Sequence, residues 1–196
     1  MSSEVTFGPA TRDDCRKIAE LFRICSGGVA EYVWGTLASH YPGLTLLEIG
    51  SRRYAGEEGA FSYKNCTVAK LGGEVIAMMH AYLTEGQLEQ GEPREPVDPV
   101  LEPYSRLEVL GSYYVSGMAV FPEHRGMGLG TEMLKIAKGK ARQGGCREVS
   151  LLVFTQNEGA VRLYKRNGFR VVDRAPVARH ELIRYTSEVL LMTAPA

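Results

Sequence analysis

The chain has no excess of charge of either sign. Its 23 basic and 23 acidic residues balance to a formal net charge of zero over 196 residues, which argues against a nucleic-acid-binding surface, where a basic excess is expected. No apolar run approaches the roughly 18 residues that a membrane span needs. The opening residues MSSEVTF carry neither a basic n-region nor an apolar h-region, so no secretory signal is read there and a cytoplasmic location is expected. The four cysteines, Cys15, Cys25, Cys66 and Cys146, lack metal-site spacing and are expected as buried thiols, with no metal. Internal repeats and low-complexity tracts are also missing. What remains is an ordinary globular composition, 44% hydrophobic, long enough for a real core.

The most informative stretch runs from Tyr113 to Thr131. An apolar β-rich run, YYVSGMAV, leads through FPEHR into GMGLGT and then a helical pattern. A strand that feeds a glycine-rich loop and a helix N-terminus is a phosphate-binding device. The first helical N–H groups lack intrahelical partners, the dipole favours an anion, and glycine lets the backbone approach closely. A nucleoside-triphosphate loop would need Gly-Lys-Ser/Thr, and no lysine precedes Thr131. A dinucleotide loop would need G-x-G-x-x-G, but Gly126, Gly128 and Gly130 alternate, and Glu148 sits at the wrong end of its strand to meet a ribose.

The third ligand is coenzyme A. Arg125-x-x-Gly128-x-Gly130, entered from Met118-Ala119-Val120-Phe121-Pro122, resembles the signature of the GNAT superfamily of N-acetyltransferases. A second marker follows: Asn157, Ala160, Leu163, Tyr164, Gly168 and Phe169 stand as N-x-x-A-x-x-L-Y-x-x-x-G-F. The resemblance is strong over residues 113–172, weaker in the N-terminal third, and poor over 85–111. It implies an α/β fold, the GNAT acyl-CoA N-acyltransferase fold, with a mixed central sheet of about seven strands flanked by helices. It also implies acetyl-CoA as co-substrate. The diphosphate would lie on the amides of Gly126, Met127, Gly128, Leu129, Gly130 and Thr131, with Arg125 framing the loop. Main-chain groups of Met118, Ala119 and Val120 would hold the pantetheine and thioester. Asn157 would contact the pantetheine arm, and Tyr164 would act as the acid; Arg162 and Lys165 would meet outer phosphates. A homodimer through the late strands is allowed by the resemblance alone.

Around this unit the chain reads as one N-acetyltransferase domain, residues 1–196. A strand is expected at Val5–Pro9. A helix capped by Thr11 and Asp14 runs to about Ser26 and is broken by Gly27-Gly28. A second helical patch covers 29–38 and carries Glu31, Tyr32 and Trp34; the resemblance puts this region beside the acceptor, although core packing is the plainer role for Trp34. Thr45 and Glu48 open a further helix towards Ala55. Cys66–Leu71 and Glu74–Leu83 form a hairpin about Gly72-Gly73. Residues 85–111, rich in proline and acids, read as an inserted surface segment with a short helix within 100–110. The helix after Gly128 places Met133, Leu134, Ala137 and Ala141 on one face and stops at Gly144-Gly145. Glu148–Phe154 is a strand covered on both faces, and 169–173 and 185–192 are the last two strands.

Acetyl transfer also requires a neutral amine. Deprotonating an alkylammonium at pH 7 costs roughly 4.6 kcal/mol, yet residues 112–121 and 149–154 contain no carboxylate. His80, Glu31 and Glu108 are the candidate bases, and a packed, hydrogen-bonded strand histidine is the plainer reading of His80. The acceptor is expected to be a small-molecule or peptide amine. Two rivals stand beside this reading within acyl-CoA chemistry, a transferase of longer acyl chains and a non-catalytic acyl-CoA sensor. A plain nucleotide-binding module is the third.

Overall fold

The computed structural model describes residues 4–84 and 98–196. Seven strands, β1 (Val5–Pro9), β2 (Cys66–Leu71), β3 (Glu74–Leu83), β4 (Tyr113–Val120), β5 (Glu148–Phe154), β6 (Arg170–Pro176) and β7 (Glu188–Pro195), are hydrogen-bonded in the order β1-β2-β3-β4-β5-β7-β6. β4 and β5 pair in parallel while β1–β2, β2–β3, β5–β7 and β6–β7 are antiparallel, so the sheet is mixed. The helices are α1 (Cys15–Cys25), α2 (Val29–Thr36), α3 (Leu46–Tyr54), α4 (Glu102–Arg106), α5 (Leu129–Gln143) and α6 (Glu158–Arg166). Among the described residues, no helix is long and apolar enough to cross a membrane. The expected α/β architecture with seven strands is therefore present.

The chain divides into two compact units. The first holds the described residues up to Tyr82 together with Ser116–Met133 and Leu182–Arg184. Here α1, α2 and α3 pack a core of Ile18, Leu21, Phe22, Trp34, Ile49 and Tyr54 against Cys66, Val68 and Met78. Phe22 stacks on Tyr54 at 4.5 Å, and the Trp34 indole meets the Tyr54 ring edge-on at 6.3 Å. Gly50 lets that indole in, since a Cβ there would stand 2.5 Å from it. Trp34 is thus a core residue. Both capping boxes form: the Asp14 carboxylate accepts from the N–H and hydroxyl of Thr11 (2.8 and 3.0 Å), and Glu48 does the same for Thr45 (2.8 and 2.7 Å). Asp14 also meets Lys70 of β2 at 2.8 Å. Burial pushes its carboxyl up, but Lys70 and the two Thr11 bonds outweigh this and hold it below the usual value.

The second unit holds the described residues of Leu83–Val115, with Leu134–Glu181 and Tyr185–Ala196. β5 is its centre, flanked by three parallel pairs with β4 and seven antiparallel pairs with β7. Val149, Leu151, Val153 and Met192 are buried in its core. β7 starts later and runs further than the apolar pattern alone suggests. Its length follows the ladder with β5, which reaches from Phe154–Val189 to Glu148–Pro195. β6 likewise extends to Pro176, which a sheet edge tolerates because the missing N–H faces outward. Of the inserted stretch, residues 85–97 lie outside the described residues, and the short helix expected beyond them is α4. Its return is clasped: Thr84 N–H donates to Ser112 O (3.0 Å), Gly111 N–H to Thr84 O (2.9 Å), and the Thr84 hydroxyl to Val109 O (2.7 Å).

One glycine is fixed by sterics. Gly28 has φ +103°, and a Cβ on it would lie 1.7 Å from Leu182 O, where Arg184 N–H bonds Gly27 O at 2.8 Å. Gly28→Ala is expected to destabilise the protein by about 2–5 kcal/mol through left-handed strain plus overpacking. A urea titration whose midpoint does not move would remove that constraint.

Candidate active site

Two glycines shape the loop after β4. Gly126 and Gly128 adopt φ +83° and +77°, a region that side chains resist. A Cβ at either would meet nothing within 4 Å, so the space on the Cβ side of both is open. Gly130 is the second residue of α5, which starts at Leu129, directly after Gly128 as expected. The first helical bonds run from Thr131 and Glu132 N–H to Gly128 O, at 3.0 and 3.2 Å. The N–H groups of Gly126, Met127, Gly128, Leu129 and Gly130 therefore precede the helical ladder, at the positive end of a 15-residue dipole. Arg125 turns back, its Nε donating to Val120 O at 3.4 Å, and so ties the loop to the end of β4 as expected.

β4 itself changes character part-way. Among the described residues its parallel ladder with β5 comprises Tyr113, Tyr114 and Val115 only. Residues 116–120 continue as strand within the first unit, with Phe121 N–H bonding Ile76 O at 3.0 Å. Met118, Ala119 and Val120, the residues expected to hold the pantetheine and thioester, all lie beyond the parallel ladder. The Met118 amide faces the Cys25 thiol, which burial pushes up to about 12 with that amide pulling the other way. Cys25 is thus a protonated thiol beside the strand.

Asn157 and Tyr164 belong to the second unit. Asn157 is the N-cap of α6, its Oδ1 accepting from Ala160 N–H at 3.3 Å. A structural duty therefore explains this asparagine without a ligand. Tyr164 is buried two turns along, with its ring 5.8 Å from that of Phe169.

The three candidate bases fare differently. Glu108 is exposed. Glu31 is nearly covered, its Oε1 held by Arg23 at 3.2 Å and Arg184 at 3.8 Å, while its Oε2 is buried without a partner. His80 is fully buried. Its Nε2 meets Ala60 O at 2.9 Å and its Nδ1 meets the Ser116 hydroxyl, while Phe61 stacks on the ring at 5.4 Å. Burial pushes the imidazole down to about 4, with the Ala60 bond opposing and the Arg53 charge assisting. His80 is therefore a neutral, packed side chain and a weak base. Sequence reasoning passed over Ser116 altogether, because its partner lies 36 residues away; only the pairing of β3 with β4 brings the two together.

The profile of the acetyltransferase (GNAT) family matches residues 36–169, more than half of the chain. The chain belongs to the GNAT acetyltransferase family. One curated relative by sequence is the mycothiol acetyltransferase of Geodermatophilus obscurus, 39% identical over 62 residues, which make up 32% of this chain. That match spans only 20% of the relative's length. Among solved structures, one described as an acetyltransferase aligns with TM-score 0.66 at 18% identity, covering 97% of this chain and 98% of its own. The ribosomal-protein-S18-alanine N-acetyltransferase of Escherichia coli aligns with TM-score 0.60 at 14% identity, covering 98% and 94%. At such identities the likeness is one of fold.

The buried neutral histidine has a consequence for stability. An unfolded histidine titrates near 6.5, so unfolding takes up a proton between that pH and about 4, and stability falls as pH drops through this window. The wild type should lose roughly 3 kcal/mol more than His80→Gln between pH 7 and pH 4, read from denaturant midpoints. Equal losses would mean that the imidazole is not held neutral.

Proposed function

We propose that the whole chain acts as one GNAT N-acetyltransferase domain that moves an acetyl group from acetyl-CoA to a primary amine by direct attack, with no covalent enzyme intermediate. The observation that carries this reading is the loop of Gly126 and Gly128, set in left-handed geometry between β4 and the N-terminus of α5, within the span that matches the family. Acetyl-CoA supplies the activated acyl group as a thioester, and its thiol is the leaving group.

The chain's own residues divide the remaining work. Amides from Gly126 to Thr131 bind the diphosphate at the positive end of the helix dipole; those of Gly126 to Gly130 are outside the helical ladder, while Thr131 N–H also serves Gly128 O. Arg162 and Lys165, both exposed on α6, meet outer phosphates. Main-chain groups of Met118, Ala119 and Val120 orient the pantetheine and polarise the thioester carbonyl, an electrostatic duty that needs donors fixed in advance. Asn157 adds a contact to the pantetheine beyond its capping bond, and Tyr164 returns a proton to the departing sulphur.

No candidate side chain is suited to deprotonate a ground-state ammonium. Its pKa near 10.4 lies far above that of His80, about 4. The amine therefore reaches the thioester already neutral, through water or through a low pKa of its own. The acceptor is a primary amine of a small molecule or a peptide. The relatives' names specify mycothiol and the alanine of a ribosomal protein, and those substrates belong to those proteins.

Gly128→Ala should weaken CoA binding at least ~10-fold by calorimetry, because a Cβ would enter the space that the diphosphate needs and strain the left-handed φ. Unchanged affinity would remove the loop assignment. Tyr164→Phe should lower kcat about 10²-fold while CoA affinity stays within a few-fold; parallel losses would take away its role as acid. A screen of primary amines with acetyl-CoA, followed by release of free thiol, tests the transfer itself. CoA bound tightly with no thiol released by any amine would overturn it.

A further inference from the structure

The His80–Ser116 pair in the first unit has a hydrogen-bond polarity that can be deduced link by link. Ala60 O is a carbonyl and can only accept, so His80 Nε2 must carry the proton of the 2.9 Å bond between them. The ring is neutral, because it is fully buried and no carboxylate among the described residues accompanies it. Its Nδ1 is therefore bare and can only accept, and the Ser116 hydroxyl must donate to it. A hydroxyl has a single proton and two acceptor lone pairs. Ser116 is thus left with acceptor capacity only.

The placement of Ser116 gives that polarity a use. It is the first residue of β4 beyond the parallel ladder with β5, and its side chain is partly exposed whereas its partner His80 is sealed in. Met118 lies two residues further along the same strand, at a distance of roughly 7 Å along it. An amine that attacks a thioester held by Met118, Ala119 and Val120 directs its lone pair at the carbonyl carbon. Its N–H groups must then point elsewhere, and each needs an acceptor in a site that excludes water.

We infer that the Ser116 hydroxyl is a substrate-contacting acceptor that orients the incoming neutral amine through an N–H···Oγ bond, with His80 and the Ala60 carbonyl as the positioning groups that fix its polarity. This rests on the acetyl-transfer reading above and adds the group that meets the nucleophile. Such a site favours a primary or secondary amine, which retains an N–H to donate, over a tertiary amine, which has none. The pair does not remove a proton from an ammonium.

Two measurements test it independently. In the uniformly ¹⁵N-labelled full chain at pH 7, long-range ¹H–¹⁵N correlation should show His80 with Nε2 protonated and Nδ1 bare. The opposite tautomer, or an imidazolium, overturns the inference whatever the activity. With acetyl-CoA and a panel of spermidine, tyramine, alaninamide and kanamycin as acceptors, Ser116→Ala should lower kcat/KM for the accepted amine about 10–100-fold and leave the Kd for CoA unchanged. Ser116→Thr, which keeps the hydroxyl, should recover to within a few-fold of the wild type. Full activity of Ser116→Ala, or an equal loss of CoA affinity, overturns the inference while the transfer reading stands. A wild type that binds CoA yet acetylates no amine defeats the transfer reading, and this inference with it.

Discussion

A strand that gives up one of its neighbours part-way along must find other uses for the amides it frees. β4 does so after Val115, where its ladder with β5 stops, and the next five residues run on as strand towards the loop of Gly126 and Gly128. Main-chain donors and acceptors carry a penalty if they are left unpaired in a dry place. The end of β4 is therefore predisposed to bind something that itself presents peptide-like polar groups. A pantetheine arm, with its two amides, is such a partner, and the diphosphate that follows it calls for a helix N-terminus directly downstream. On the reading proposed above, the order strand, loop, helix in the sequence matches the order of chemical groups along the coenzyme.

The residues proposed for the cofactor side lie close together in sequence, and those proposed for the acceptor side do not. Glycines at 126 and 128, the block from Asn157 to Phe169, and the apolar face of α5 are local signals, and each lies within one or two elements. Both capping boxes and the Gly72-Gly73 hairpin are equally local, and they form as expected. The ends of β6 and β7 were misjudged because pairing with distant strands, rather than the apolar run itself, sets their length.

The residues around His80 were hardest to read because their meaning is relational. Ser116, His80 and Ala60 come from three separate stretches of chain, and no spacing rule joins them. A packed, hydrogen-bonded side chain is the plainer reading of a strand histidine, and His80 is one. Enclosed by Phe22, Tyr54, Phe61 and Tyr82, it becomes a neutral connector whose two nitrogens hold two different partners. Glu31 shows the same change of role, from candidate base to the carboxylate shared by Arg23 and Arg184.

The clasp formed by Thr84 with Val109, Gly111 and Ser112 has an evolutionary side. It closes the base of the inserted stretch with bonds that belong to the sheet's margin, so the ends stay together whatever lies between them. Closure entropy grows only with the logarithm of loop length, about 0.6 kcal/mol for each doubling. Mutation can therefore change the length of that stretch at little cost in closure entropy so long as buried Leu107 keeps its place, which makes it a natural place for lineages of this fold to diversify while the acyl-transfer scaffold stays the same.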